Sequence, residues 1–134
     1  MEILLVIVIL GIMAAFAMPN YNKSVELAYE KDAVLQLTAI QAAEQSYYAR
    51  EITYWPSTTS NYTVDQINTA LHMNLIENGF SYSCTSPSPG NFTCTAQRIG
   101  GAFTLRLNVT AALSSTSPAN PCCNAGSCPT VLAC

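Results

Sequence analysis

The sequence predicts an α+β fold: a long N-terminal α-helix packed on a small antiparallel β-sheet head, ending in a disulfide-closed C-terminal loop. Three observations predict it. An apolar run from Ile3 to Met18 leads into a stretch with helical periodicity that ends near Arg50. Beyond Pro56, short β-rich segments alternate with Pro- and Gly-rich breaks. All six cysteines lie in the last 51 of 134 residues, and an even number in the polar half of a chain points to disulfides and an oxidising compartment. The rival reading of Cys122-Cys123-x₄-Cys128 as a zinc site lacks a nearby histidine, and no metal or cofactor is expected.

The apolar run begins after Glu2 and stops at Pro19. A carboxylate at the lip of a hydrocarbon segment is costly unless it meets a cation, snorkels to the interface, or is paired when the segment packs against copies of itself. A cleaved secretory signal is disfavoured, because the start is acidic and no Lys or Arg precedes Lys23. Sixteen residues of helix reach about 24 Å, somewhat short of a hydrocarbon core of about 30 Å. The run has no polar face, so lipid or neighbouring helices must surround it. Gly11 with Ala14, Ala15 and Ala17 permits close helix approach, and Gly11 and Pro19 bracket a weak stretch able to unwind.

From Asn20 to Arg50 two apolar strips run along one helix. Tyr21, Val25, Ala28, Leu35, Ala39 and Ala42 form the first; Val34, Leu37, Ile40 and Tyr47 form the second. Two strips suit a helix that packs on its own head along one side and on neighbouring subunits along the other. Glu26, Glu30, Lys31 and Asp32 are expected between them. As one helix, the first fifty residues would extend about 75 Å, more than an isolated chain of this size can bury.

Glu51 to Tyr62 reads as a loop, and Thr63-Val64-Asp65-Gln66 as a capping box opening a short helix to about Met73. His72, near its end, has no catalytic role. Three strands come next: Phe80–Thr85, Phe92–Arg98 and Phe103–Thr110. Folding the first two together sets Cys84 opposite Cys94, Tyr82 opposite Ala96 and Phe80 opposite Arg98, so Cys84–Cys94 is the expected cross-strand disulfide. Ser114 to Cys134 lacks the periodicity of regular elements. Its four cysteines allow three pairings; adjacent cysteines rarely join, and of the rest Cys123–Cys128 with Cys122–Cys134 is the pairing adopted. Asn22, Asn61, Asn91 and Asn108 are sequons, with Asn91 and Asn108 expected to be accessible.

The net charge is −3 and the five cations are scattered, so direct nucleic-acid binding is not expected. No phosphate loop, nucleophile elbow or paired-carboxylate site occurs, and the chain is read as no enzyme.

Glu2, the run Ile3-Leu4-Leu5-Val6-Ile7-Val8-Ile9-Leu10, Gly11, Ala14-Ala15-Phe16-Ala17, Pro19 and Tyr21 together resemble the N-terminal segment of type IV pilins and the related type II secretion pseudopilins. The resemblance covers roughly the first fifty residues. It implies a structural subunit held first in the cytoplasmic (inner) membrane, then polymerised into an extracellular helical filament of identical subunits. It also implies a prepilin peptidase and a pilus assembly machinery as partners. In that family the acid corresponding to Glu2 pairs with the terminal amine of an adjacent subunit, making Glu2, Gly11 and Pro19 assembly residues. Mature members start a few residues earlier, usually with Phe-Thr-Leu and an N-methylated amine; here Met1 directly precedes Glu2, and a missing start is expected. Pilins also commonly carry a disulfide-closed loop near the C-terminus.

The resulting organisation is residues 1–22, a membrane or filament-core helix half; 23–50, an amphipathic half; and 51–134, a head with a β-meander (79–110) and a Cys-rich loop (114–134). Adhesion, motility or DNA uptake would be properties of the filament. The alternatives are a type II secretion pseudopilin, though the few acids beyond Glu51 make a poor calcium cage, and a membrane-anchored extracellular binding domain, for example for carbohydrate.

Overall fold

The structure, a computed structural model, describes residues 2–88, 90–101, 103–109, 120–131 and 133–134, with the backbone alone at residues 2 and 17–20. Two helices, α1 (Glu2–Glu51) and α2 (Val64–Leu71), precede four strands: β1 (Phe80–Ser88), β2 (Asn91–Arg98), β3 (Thr104–Val109) and β4 (Cys122–Ala125).

Helix α1 runs unbroken through Gly11 and Pro19. Because Pro19 has no N–H, the Ala15 carbonyl lacks its usual helical partner. At the other end Ile52 adopts φ 58° and donates its N–H to the Tyr48 carbonyl at 2.9 Å, closing the last turn. A β-branched residue in the left-handed region is strained, so this stop is imposed by the packing of the next loop, where Tyr54 is buried, rather than by local preference.

The head covers only the second half of α1. Ala33, Leu37 and Ile40 are fully buried there, with Glu30 and Glu44 at the ends of the same row. Their spacing of three and four residues keeps them on one helix face. Of the two predicted strips, the one with Leu37 and Ile40 meets the head, with Val34 and Tyr47 partly buried beside it. Tyr21, Ala28, Leu35, Ala39 and Ala42 of the other strip are exposed. Glu30 departs from expectation: it lies in the seam and not between the strips, because the head supplies hydrogen bonds to its carboxylate.

Helix α2 buries Val64, Ile67 and Leu71. It is shorter than the sequence predicts, since His72 turns into the left-handed region at φ 53°. At its start Gln66 Oε1 accepts the Thr63 N–H at 3.0 Å, one half of a capping box.

The sheet is antiparallel in the order β1-β2-β3-β4. Between β1 and β2 the register is that read from the sequence, with Phe80 opposite Arg98, Tyr82 opposite Ala96 and Cys84 opposite Cys94. The inner face carries Phe80, Tyr82 and Cys84, then Phe92, Cys94 and Ala96, then Leu105, Leu107 and Val109, all buried. Three strands were expected, and the fourth is a correction. In β4 the neighbours Cys122 and Cys123 are both buried, so the alternation that betrays a strand is absent, while Arg106 pairs with Cys122 and Leu105 with Cys123. Thr110, expected to end the third strand, and residues 114–119 of the Cys-rich segment lie outside the described residues.

The disulfides are Cys84–Cys94, Cys122–Cys134 and Cys123–Cys128. Cys84 exchanges both backbone hydrogen bonds with Tyr62, at 2.9 and 3.2 Å, on the side away from β2. Its pairing with Cys94 is therefore the narrow kind, with Cα atoms 4.1 Å apart. The same Tyr62 bridge covers the outer edge of β1, which blunts that edge against pairing with another chain.

Arg98 ties the far end of the hairpin to α1. Its Nε and Nη2 donate to the Glu26 carboxylate at 3.1 Å each, and Nη1 donates to the Gly79 carbonyl at 2.8 Å. The guanidinium lies 4.1 Å from the Tyr29 ring centroid. Gly79 makes this possible: its φ is +75°, and an added Cβ would stand 2.8 Å from Arg98 Nη1 and 3.0 Å from the Tyr29 ring. Gly79→Ala is therefore expected to destabilise the head by about 1–3 kcal/mol, through both strain and displacement of Arg98. Urea unfolding checks this, and an unchanged midpoint would refute it.

Candidate assembly surface

The apolar half of α1 is bare. Its large side chains from Ile3 to Phe16 are between 48% (Ile9) and 79% (Ile3) exposed, and an 18-residue window has mean hydropathy 2.5. By length and composition the helix can cross a membrane. The exposed patch far exceeds what an isolated soluble protein presents, and such surface marks a site of contact with lipid or protein. Among the described residues, nothing apart from the helix's own adjoining chain comes within 4 Å of where a Gly11 Cβ would stand, which leaves that backbone open to a neighbouring helix. Glu2 and Pro19 belong to the same helix, but their side chains lie outside the described residues. The strip containing Leu35, 67% exposed, extends the uncovered surface along the outer side of the second half.

The four sequons are not equivalent. Asn22 and Asn61 are exposed, whereas Asn91 and Asn108 are half-buried, contrary to the accessibility expected from strand alternation. At Asn108 the cause is its neighbours: Oδ1 accepts the Thr93 hydroxyl at 2.8 Å, and the Asn120 side chain bonds the Asn108 backbone on both its N–H and C=O.

Two buried carboxyl groups fix the head against the helix that carries this surface. Glu30 accepts the Val131 N–H at 2.9 Å, the Thr130 N–H at 3.0 and 3.1 Å on its two oxygens, and the Thr130 hydroxyl. Sequence reading missed this role because an acid beside Lys31 and Asp32 looks like part of a solvated face. The one signal for it is helical spacing, which puts Glu30 in a row with Ala33, Leu37 and Ile40. Glu44 accepts the Trp55 N–H at 3.0 Å on Oε2, while Oε1 is buried with no partner. Burial pushes the Glu44 carboxyl up to about 8 from 4.5, and the Trp55 N–H only partly offsets that rise. Among the described residues no group of three His, Cys, Asp or Glu side chains is placed to hold a metal ion.

Removing the Glu30 acceptor should release the C-terminal loop. Glu30→Ala is expected to cost about 1–3 kcal/mol and to speed amide exchange at Thr130 and Val131, with Glu30→Gln milder because it keeps one acceptor. Equal exchange in all three proteins would refute the tether. For Glu44 the folded state holds a proton that the unfolded chain releases, so stability is full below 4.5 and falls as pH rises towards about 8. Glu44→Gln is expected to flatten that decline in urea midpoints measured across the window; an unchanged slope would place its origin elsewhere. Compared with protein-family models, curated proteins and solved structures, the chain matches none of them.

Proposed function

We propose that this chain is a structural subunit of a type IV pilus-like filament, polymerising through the apolar half of α1. The observation that carries the reading is the division of one continuous helix into a half covered along one face by its own head and a half that the head leaves bare. Before assembly, lipid of the inner membrane would surround the bare half; in the filament, sister helices would. Burying each large apolar side chain contributes about 1.5–3 kcal/mol relative to water, which favours any arrangement that removes the bare half from solvent. The pattern of Glu2, Gly11 and Pro19 supports the pilin-type reading, with Glu2 paired to the terminal amine of a neighbour and thereby setting subunit stagger. A carboxylate in such a low-dielectric bundle acts as a register device, because leaving it unpaired costs several kcal/mol.

Heterologous contacts that do not close produce an open helical polymer, which is the form this surface suits. Disulfides suit a head exported to an oxidising compartment. A second reading, a membrane-anchored extracellular binding domain, is favoured by a groove on the head that filament assembly does not require.

Electron microscopy of sheared cell-surface material separates the two. Uniform fibres containing the chain are expected, and Glu2→Ala is expected to abolish them while the subunit accumulates in the membrane fraction. Dispersed membrane monomers in the unaltered protein, or fibres of unchanged yield and stagger in Glu2→Ala, would overturn the filament reading.

A further inference from the structure

The single tryptophan of the chain lines a groove on the head, remote from the bare helix half. Trp55 and Tyr62, both half-buried, meet with ring centroids 4.8 Å apart and planes inclined by 55°. Asp65, Gln66, Thr69 and Ala70 of α2 complete an open groove of about 340 Å³.

Hydrogen bonds fix the backbone at both residues and the hydroxyl of one ring. Glu44 Oε2 accepts the Trp55 backbone N–H, the Tyr62 backbone is bonded twice to Cys84, and the Tyr62 hydroxyl lies 2.7 Å from Thr58 Oγ1. With the backbone fixed and the two rings packed on each other, less order has to be imposed when a ligand binds, which lowers the entropic cost.

The lining selects by charge. No Lys or Arg contributes, and Asp65, exposed and without an ion pair among the described residues, is its one charged side chain. Aromatic faces carry negative quadrupole potential, so rings and carboxylate together repel anions and attract cations. A primary ammonium is strongly hydrated and needs acceptors for three N–H groups. Gln66 Oε1 already accepts the Thr63 N–H and hydroxyl, which leaves the Asp65 carboxylate as the principal acceptor of the lining, beside the oxygen of the Thr69 hydroxyl. A quaternary ammonium has apolar methyl groups and no N–H to satisfy.

We propose that this groove binds a small quaternary ammonium cation of the choline type, its methyl groups on the faces of Trp55 and Tyr62 and its charge balanced by Asp65. A zwitterionic lipid headgroup would bring a phosphate towards Asp65 and bind more weakly. The groove belongs to the head alone, and its ligand is the same whether α1 builds a filament or only an anchor.

Trp55 supplies the readout. Full-length protein in a detergent lacking choline groups is titrated at constant ionic strength with choline chloride, with its uncharged isostere 3,3-dimethylbutanol, and with glycerophosphocholine. A saturable change in Trp55 fluorescence at about millimolar choline is expected, with both comparators about tenfold weaker. Asp65→Asn should weaken choline binding about tenfold, and Tyr62→Ala should abolish it, with near-ultraviolet circular dichroism verifying that each variant is folded. Absence of saturation by choline, equal response to the uncharged isostere, an unaffected Asp65→Asn variant, or tighter binding of glycerophosphocholine would each overturn the assignment.

Discussion

The seam between the second half of α1 and the inner face of the sheet is the contact on which the other features depend. A four-stranded sheet with Phe80, Phe92, Leu105 and Leu107 on one side cannot stand in water with that side open. The row Ala33, Leu37 and Ile40 closes it, and small Ala33 lets the helix approach closely. Because α1 continues without a break beyond the head, the seam also decides where cover ends. Everything before it is left for another partner to bury.

Polar groups locate this apolar contact. Glu26, Glu30 and Glu44 each hold a different part of the head: the end of the β1–β2 hairpin through Arg98, the C-terminal loop through Thr130 and Val131, and the loop after α1 through Trp55. Hydrophobic burial is indifferent to a shift of one helical turn, whereas three carboxylates with separate partners are not. Glu44 shows the cost most clearly, because its second oxygen is left unpaired and its carboxyl stays protonated to a higher pH. The disulfides add to this arrangement by shortening the unfolded chain's freedom, each closing a short loop and contributing about 2–3 kcal/mol on a chain-entropy account.

Much of this was legible where side-chain periodicity reports burial. The strip with Leu37 and Ile40, the alternation of Phe80, Tyr82 and Cys84, and the pairing of Cys84 with Cys94 all come from period and turn position. What escaped were features that periodicity cannot encode. Cys122 and Cys123 are buried side by side in β4, so that strand has no alternating pattern. Glu30 occupies a seam position with a residue type that normally marks solvent, and its partners stand 100 residues away in sequence. The Trp55–Tyr62 groove is built from a loop and α2, brought together by the Tyr62–Cys84 bridge rather than by any local motif.

The continuity of α1 connects the head to the proposed role. An uninterrupted helix advances about 1.5 Å per residue, so a neighbour gripping the bare half is placed at a defined height and rotation relative to the head. On the side facing away from the seam, Ala28, Ala39 and Ala42 surround the exposed Leu35. Small residues there permit close approach by a second subunit without disturbing Leu37 or Ile40, which face the opposite way. In the proposed filament, head stability and intersubunit packing would thus draw on different faces of one helix. A change at buried Leu37 would act first on the fold, and a change at exposed Leu35 would act first on the proposed association.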